Sequence, residues 1–224
     1  MPSFFPVIPL AINYHVLLTS MFEGFGYTFS IFLLTVIFSV PLGFLLALLR
    51  SSKSKFISKP VEWYNNIMRG TPLLLQLFVV FYGTNYLFHF SFPRFVAIII
   101  AFVLNYAAYF CEIFRGGIES IPVGQHEAAN VLGFTKTQTF FKIVLPQVIK
   151  IILPSASNEF ITLVKDTALA QSIAIIELFR VAGTAASGAS SPIPFLVAGV
   201  FYFIFNWIVN RLFIFFEKRL SYYK

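Results

Sequence analysis

Charge is what this sequence lacks most. Asp, Glu, Lys and Arg make up only 11% of its 224 residues, against about 25% in a soluble globular chain. Residues 24–49 contain none of them, and neither do residues 70–93. A helix needs about 20 apolar residues to cross a ~30 Å hydrocarbon core, and both stretches exceed that. A soluble enzyme, a nucleic-acid-binding module and a disordered tail are excluded together. Cysteine is reduced to Cys111, which rules out an internal disulfide and a CxxC-type metal site. His15, His89 and His126 are scattered, with no pair at ligand spacing, so no metal site is expected. Lys and Arg are missing from residues 1–49, so the first apolar run lacks the basic lead of a cleavable signal peptide.

What is present is apolar bulk: 58% hydrophobic residues, 19% aromatic, 30 of them Phe. The pattern predicts an all-α integral membrane protein with five transmembrane helices. They fall at about 26–49, a second ending near His89, then 95–114, 155–179 and 193–216. The Phe surplus reads as lipid-facing surface. Eleven of the 16 Lys and Arg collect in three segments: Arg50 to Lys59, Arg115 to Lys150, and Lys218 to Lys224. Positive residues stay on the cytoplasmic side, so the N-terminus is expected outside and the C-terminus inside. The net charge of +7 then reports topology rather than a polyanionic partner. Pro2, Pro6 and Pro9 argue against a straight helix at the start. Residues 1–25 are therefore expected to lie on the outer leaflet, with residues 26–224 forming the transmembrane domain. The Gly/Ser/Ala-rich run 183–191 reads as a flexible outer loop.

The loop 115–154 is the most informative segment. Its pattern predicts a short helix over residues 125–132, ended by Gly133, a good helix terminator. Thr135 stands three residues before Gln138, the spacing of a capping box. A second short helix through Phe140, Ile143 and Val144 is expected to stop at Pro146. Periodicity alone makes this an amphipathic elbow resting on the bilayer surface.

The same loop carries a resemblance. Glu127-Ala128-Ala129, Gly133 after three residues, and Ile143-Val144-Leu145-Pro146 after nine more match the EAA motif of ATP-binding-cassette import permeases at every fixed position. The stretches Arg69-Gly70-Thr71-Pro72-Leu73-Leu74-Leu75-Gln76, Asn105-Tyr106-Ala107-Ala108-Tyr109 and Glu112-Ile113-Phe114-Arg115-Gly116-Gly117-Ile118 resemble the polar-amino-acid branch of that family. So does Asn158-Glu159-Phe160-Ile161 leading to Lys165-Asp166-Thr167, and the likeness extends over residues 20–220. It implies a type I importer permease in a bacterial cytoplasmic membrane, not itself an enzyme. The elbow would dock on a cytoplasmic ATPase subunit. Glu127 would bond across that interface, Ala128 and Ala129 would permit close approach, and Gly133 would supply the turn. This sequence has no G-x4-G-K-[ST] phosphate loop, the element that cradles nucleotide phosphates. No cofactor is therefore expected in this chain, with ATP and Mg held by the partner. The resemblance further implies two ATPase subunits, a second permease copy or homologous permease, an extracytoplasmic amino-acid-binding protein and surrounding lipid, and no nucleic acid.

Ionisable groups within a membrane are costly and usually face a cavity or a partner. The fourth span carries Glu159, Lys165, Asp166 and Glu177. Glu159, Thr162 and Asp166 follow i, i+3, i+7 and form one stripe, with Asn158, Thr162 and Lys165 beside it. The stripe either lines a translocation path, its carboxylates meeting an α-ammonium group, or makes structural pairs. Gly70-Thr71-Pro72 puts an N-cap residue before a Pro at N1. That is either a helix restarting within the membrane, its free N–H groups aimed at an α-carboxylate, or an ordinary helix start after Arg69. Gln76, Tyr109 and Glu112 are further path candidates, although Glu112 is also placed to pair with Arg115. An intramembrane enzyme or a passive pore using Glu159 and Asp166 are the competing readings.

Overall fold

The computed structural model describes residues 13–220, and all the elements among them are helical. Helix α1 runs Tyr14–Arg50, α2 Lys55–Gly70 and α3 Leu73–Phe78. A π-helical turn at Val79–Gly83 joins α3 to α4, Thr84–Phe88, and α5 follows at Arg94–Glu119. Then come α6 Val123–Val131, α7 Lys136–Thr139, a π-helical turn Phe140–Val144 and α8 Leu145–Asp166. A 3-10 turn Thr167–Ile173 leads to α9 Leu178–Ala189 and α10 Ile193–Leu220. Four helical runs are long and apolar enough to span a membrane, and a fifth if α2 and Leu73–Phe88 count as one span bent by 107°. That agrees with the expected all-α membrane architecture.

Helix α5 sits at the centre, with Phe102, Tyr106, Phe110 and Cys111 almost wholly buried. Rings from α1, α8 and α10 close round it: Phe110 meets Phe160 edge-on at 5.5 Å, and Phe32 meets Phe205 at 5.1 Å. Outward faces stay apolar, with Phe38 of α1 and Phe203 and Trp207 of α10 exposed. In water such surface would be costly; in hydrocarbon it is the ordinary exterior.

The first span begins earlier than residue 26. Asn13 caps α1, its side chain accepting from His15 N and Val16 N at 3.1 and 3.2 Å. Residues 14–25 thus belong to a 37-residue helix, ~55 Å long at 1.5 Å per residue. The expected outer leg otherwise falls on residues 1–12, outside the described residues.

Three further expectations are corrected. Pro146 does not end a helix; residues Lys136–Ile173 form one 38-residue run. Pro146 lies just after the π-helical turn, where the regular i→i−4 ladder is already interrupted, so its missing N–H breaks little. The fourth span consequently ends at Ile173, and Ala174 turns the chain with φ 61° instead of continuing to residue 179. Most of the run 183–191 is helix α9, not a loop. Glu177 caps α9, accepting from Phe179 N and Arg180 N at 2.7 Å each. Ala182, Ala186 and Ala189 are buried, so small side chains that suggested flexibility instead allow close helix packing.

Candidate functional site

The chain changes direction inside the bundle at Thr71-Pro72, and polar side chains hold that break. Asn105 Nδ2 donates to Met68 O at 3.0 Å and to Gln76 Oε1 at 2.9 Å. Gln76 Nε2 donates to Met68 O, Thr71 O and Thr71 Oγ1 at 2.9, 3.1 and 2.7 Å. Asn105 is near the middle of α5, so the break is a helix restart within the bundle, with α2 preceding it. The N-cap is Pro72, one residue later than expected, and it makes no side-chain cap. Thr71 Oγ1 instead donates to Ile67 O at 2.8 Å. Gln76 is a brace for the break rather than part of a cavity wall.

Beside the break lies a cavity of about 660 Å³ lined by Arg69, Thr71, Asn105, Tyr106, Tyr109, Glu159, Thr162 and Asp166, among others. Five residues singled out by sequence therefore converge there: Thr71 from the break, Tyr109 from α5, and Glu159, Thr162 and Asp166 from α8. The stripe from Glu159 to Asp166 spans ~10.5 Å along its helix, about the length of an extended amino acid. Tyr106 donates its hydroxyl to Asp166 Oδ2 at 2.7 Å, so this carboxylate is held in place from α5. Asn158 and Lys165 are exposed and do not line the cavity; the adjoining stripe contributes only Thr162. Glu112 lines a second, smaller cavity. It accepts from Arg115 Nε and Nη2 at 3.0 and 2.7 Å, and from Asn65 Nδ2 at 2.8 Å.

Arg69, Asn105 and Tyr106 were not among the residues expected to line the path. Asn105 had a visible signal: it is an amide directly after the wholly apolar run 95–104 of α5. Arg69 and Tyr106 had none, since a cation ending a helix and a Tyr in a span are ordinary. Among the described residues, no group of three or more His, Cys, Asp or Glu could hold a metal ion.

The elbow lies away from this cavity. Glu127 and Ala128 of α6 are exposed, while Ala129 is 1% exposed and turned against its own chain. Ala129 therefore packs the elbow and presents nothing outward, contrary to the expected role in close approach. Val131 and Leu132 are 87% and 73% exposed, an apolar tip that sequence reasoning missed. Gly133 has φ +80°, a left-handed conformation that residues with a Cβ adopt only under strain. The capping box is present: Gln138 N donates to Thr135 Oγ1 at 3.3 Å and Thr135 N to Gln138 Oε1 at 2.9 Å.

Comparison with known proteins gives these features a family. Residues 39–222 match the model for binding-protein-dependent transport system inner membrane components. The octopine transport system permease protein of Rhizobium radiobacter is 39% identical over 197 residues, covering 82% of this chain and 80% of that protein. The L-cystine transport system permease protein of Bacillus subtilis is 42% identical over 161 residues, or 70% of this chain and 67% of the relative. Among solved structures, an amino acid ABC transporter crystallised with histidines matches at a TM-score of 0.83 with 31% identity, covering 94% of this chain and 100% of that one. An inward-facing methionine ABC transporter shares the fold, with a TM-score of 0.73 at 19% identity over 94% and 99% of the two chains. By its sequence and by the fold that sequence adopts, this chain is a member of the family of inner membrane components of binding-protein-dependent transport systems.

Proposed function

We infer that this chain is the permease subunit of an ATP-driven importer that carries a polar amino acid through the cavity beside Thr71. The observation that carries the reading is mechanical. One unbroken helical run, Lys136–Ile173, begins at the elbow and bears Glu159, Thr162 and Asp166 on the cavity wall. A push on α6 passes through the Gly133 turn and the capped start of α7 into the wall of the path.

The remaining parts follow from this arrangement. Exposed Glu127 and Ala128, with the apolar tip Val131-Leu132, form the surface for a separate ATPase subunit, which supplies ATP and Mg. This chain hydrolyses nothing itself. Arg69, Thr71 and Thr162 line the cavity yet are exposed in the single chain, so a second permease copy or a homologous one completes its wall. Two ATPase subunits dock at the elbows, and an extracytoplasmic binding protein delivers the solute at the opposite end. That orientation places the N-terminus outside and the C-terminus inside. Within the cavity, the α-ammonium group meets Glu159 and Asp166. Arg69 and the open N–H groups after Pro72 face the α-carboxylate, since cations and helix starts both favour an anion.

Reconstitution tests the reading. Proteoliposomes containing the chain, its ATPase and its binding protein should accumulate at least one of the twenty labelled amino acids, only with ATP present. Uptake without ATP would instead indicate a pore. No uptake of any amino acid by an assembled, ATP-hydrolysing complex would overturn the substrate assignment.

A further inference from the structure

Two cavities, not one, lie along the wall formed by α5 and α8, and they meet at three residues. The larger one beside the break takes Asn105, Tyr106 and Tyr109 from α5, Glu159, Thr162 and Asp166 from α8, and Leu169 from the 3-10 turn that continues it. The smaller, about 350 Å³, takes Tyr109, Glu112, Ile113, Gly116 and Gly117 from α5, and Ile151, Ile152, Ser155 and Glu159 from α8. Both sets continue a single helical stripe, so the cavities are stacked end to end in one groove, the smaller nearer the elbow. From Ile152 to Leu169 the groove measures ~26 Å, most of a hydrocarbon core. Shared between the two are Tyr109, Glu159 and, from α2, Arg69.

Arg69 is held in a way that suits it to moving. Its guanidinium lies 5.5 Å from the centroid of the Tyr109 ring, a contact worth ~0.5–2 kcal/mol. Its only ion pair among the described residues is long, Nη1 to Glu112 Oε2 at 3.9 Å. Glu112 itself is fixed firmly by others: Arg115 takes Oε2 with two bonds and Asn65 takes Oε1. Arg69 can therefore leave while Glu112 stays satisfied. It also stands two residues before the Thr71-Pro72 break, so a change in the 107° angle there displaces Arg69 first.

We propose that Arg69 seated on Tyr109 is the partition between the two cavities, and that its release connects the upper cavity with the elbow side. This rests on the importer reading above and deepens it by naming the residue that sets access. Arg69 is a positioning and gating group: closed, it stops the groove at the level of Glu159; displaced, it leaves a continuous groove.

Accessibility tests the partition without relying on transport. In the assembled importer in proteoliposomes, with ATPase subunits facing outward, Thr162→Cys is labelled by a membrane-impermeant cationic methanethiosulfonate reagent. The native Cys111 is fully buried, and the chain without Thr162→Cys gives the background. Arg69→Met and Tyr109→Leu should each raise the labelling rate at least tenfold, and Tyr109→Phe, which keeps the ring face, should stay within threefold of the parent. Rates within twofold of the parent in both Arg69→Met and Tyr109→Leu would overturn the partition. Should the substrate reading fail, wild-type uptake is missing while the labelling contrast remains; should the partition fail, labelling is flat while wild-type uptake is normal.

Discussion

The elbow at Gly133 and the break at Thr71-Pro72 both turn the chain sharply, but by opposite means. The elbow is held by neighbours in sequence: a left-handed glycine, a capping box from Thr135 to Gln138, and the Phe134 N–H on Ala129 O at 3.0 Å. The break has a local brace in Gln76, but it is tied down from afar by Asn105, 29 and 37 residues away from Gln76 and Met68. A turn fixed locally can ride as a unit on whatever docks against it. One fixed by a neighbouring helix responds when the helices shift. On this account the first transmits motion, and the second changes shape with it.

The contrast can be broken or sharpened by substitution. The largest expected effect is at the cavity wall. Asp166→Asn keeps the Tyr106 hydrogen bond but removes the charge, so uptake by the reconstituted importer should fall at least tenfold while the complex assembles normally. Wild-type uptake kinetics would remove Asp166 from the path. Next comes the brace: Asn105→Ala leaves the Met68 carbonyl and the Gln76 amide short of a buried partner, at a cost of ~1–3 kcal/mol. A thermal unfolding scan in detergent should show a clearly lowered midpoint, and an unchanged one would mean the break holds itself. The smallest is Thr135→Ala at the elbow, where loss of a cap costs ~1 kcal/mol. Its thermal midpoint should drop less than that of Asn105→Ala; the reverse order would invert the local-versus-distant distinction.

How much could be read from sequence follows the same division. The EAA spacing, the Gly133 turn and the Thr135–Gln138 box are short-range patterns, and the structure has the turn and the box where the spacing put them. The stripe Glu159, Thr162, Asp166 is one helix's periodicity, and it lines one cavity. Errors arose where tertiary contacts override local rules. Pro146 is absorbed by a π-helical turn, and the Gly/Ser/Ala-rich α9 is helical because its alanines pack closely. Arg69 and Tyr106 come to the cavity only because α2 and α5 lie side by side, which no spacing within either helix encodes. Ala129 looked like its neighbour Ala128, yet faces inward because the chain folds back at Gly133. Gly117 is the complementary case: a Cβ there would collide with Ile152 and Val148, so this glycine is what lets α5 and α8 approach.

The most direct test of the lever is Gly133→Val in the full importer, measuring ATP hydrolysis and amino-acid uptake in the same proteoliposomes. A β-branched residue cannot hold φ +80° without strain, so the elbow must refold while the spans remain inserted. Uptake should collapse at least tenfold while the ATPase subunits continue to hydrolyse ATP. Uptake per ATP equal to wild type would show that the path is driven through some other contact, and the account of this elbow would be wrong.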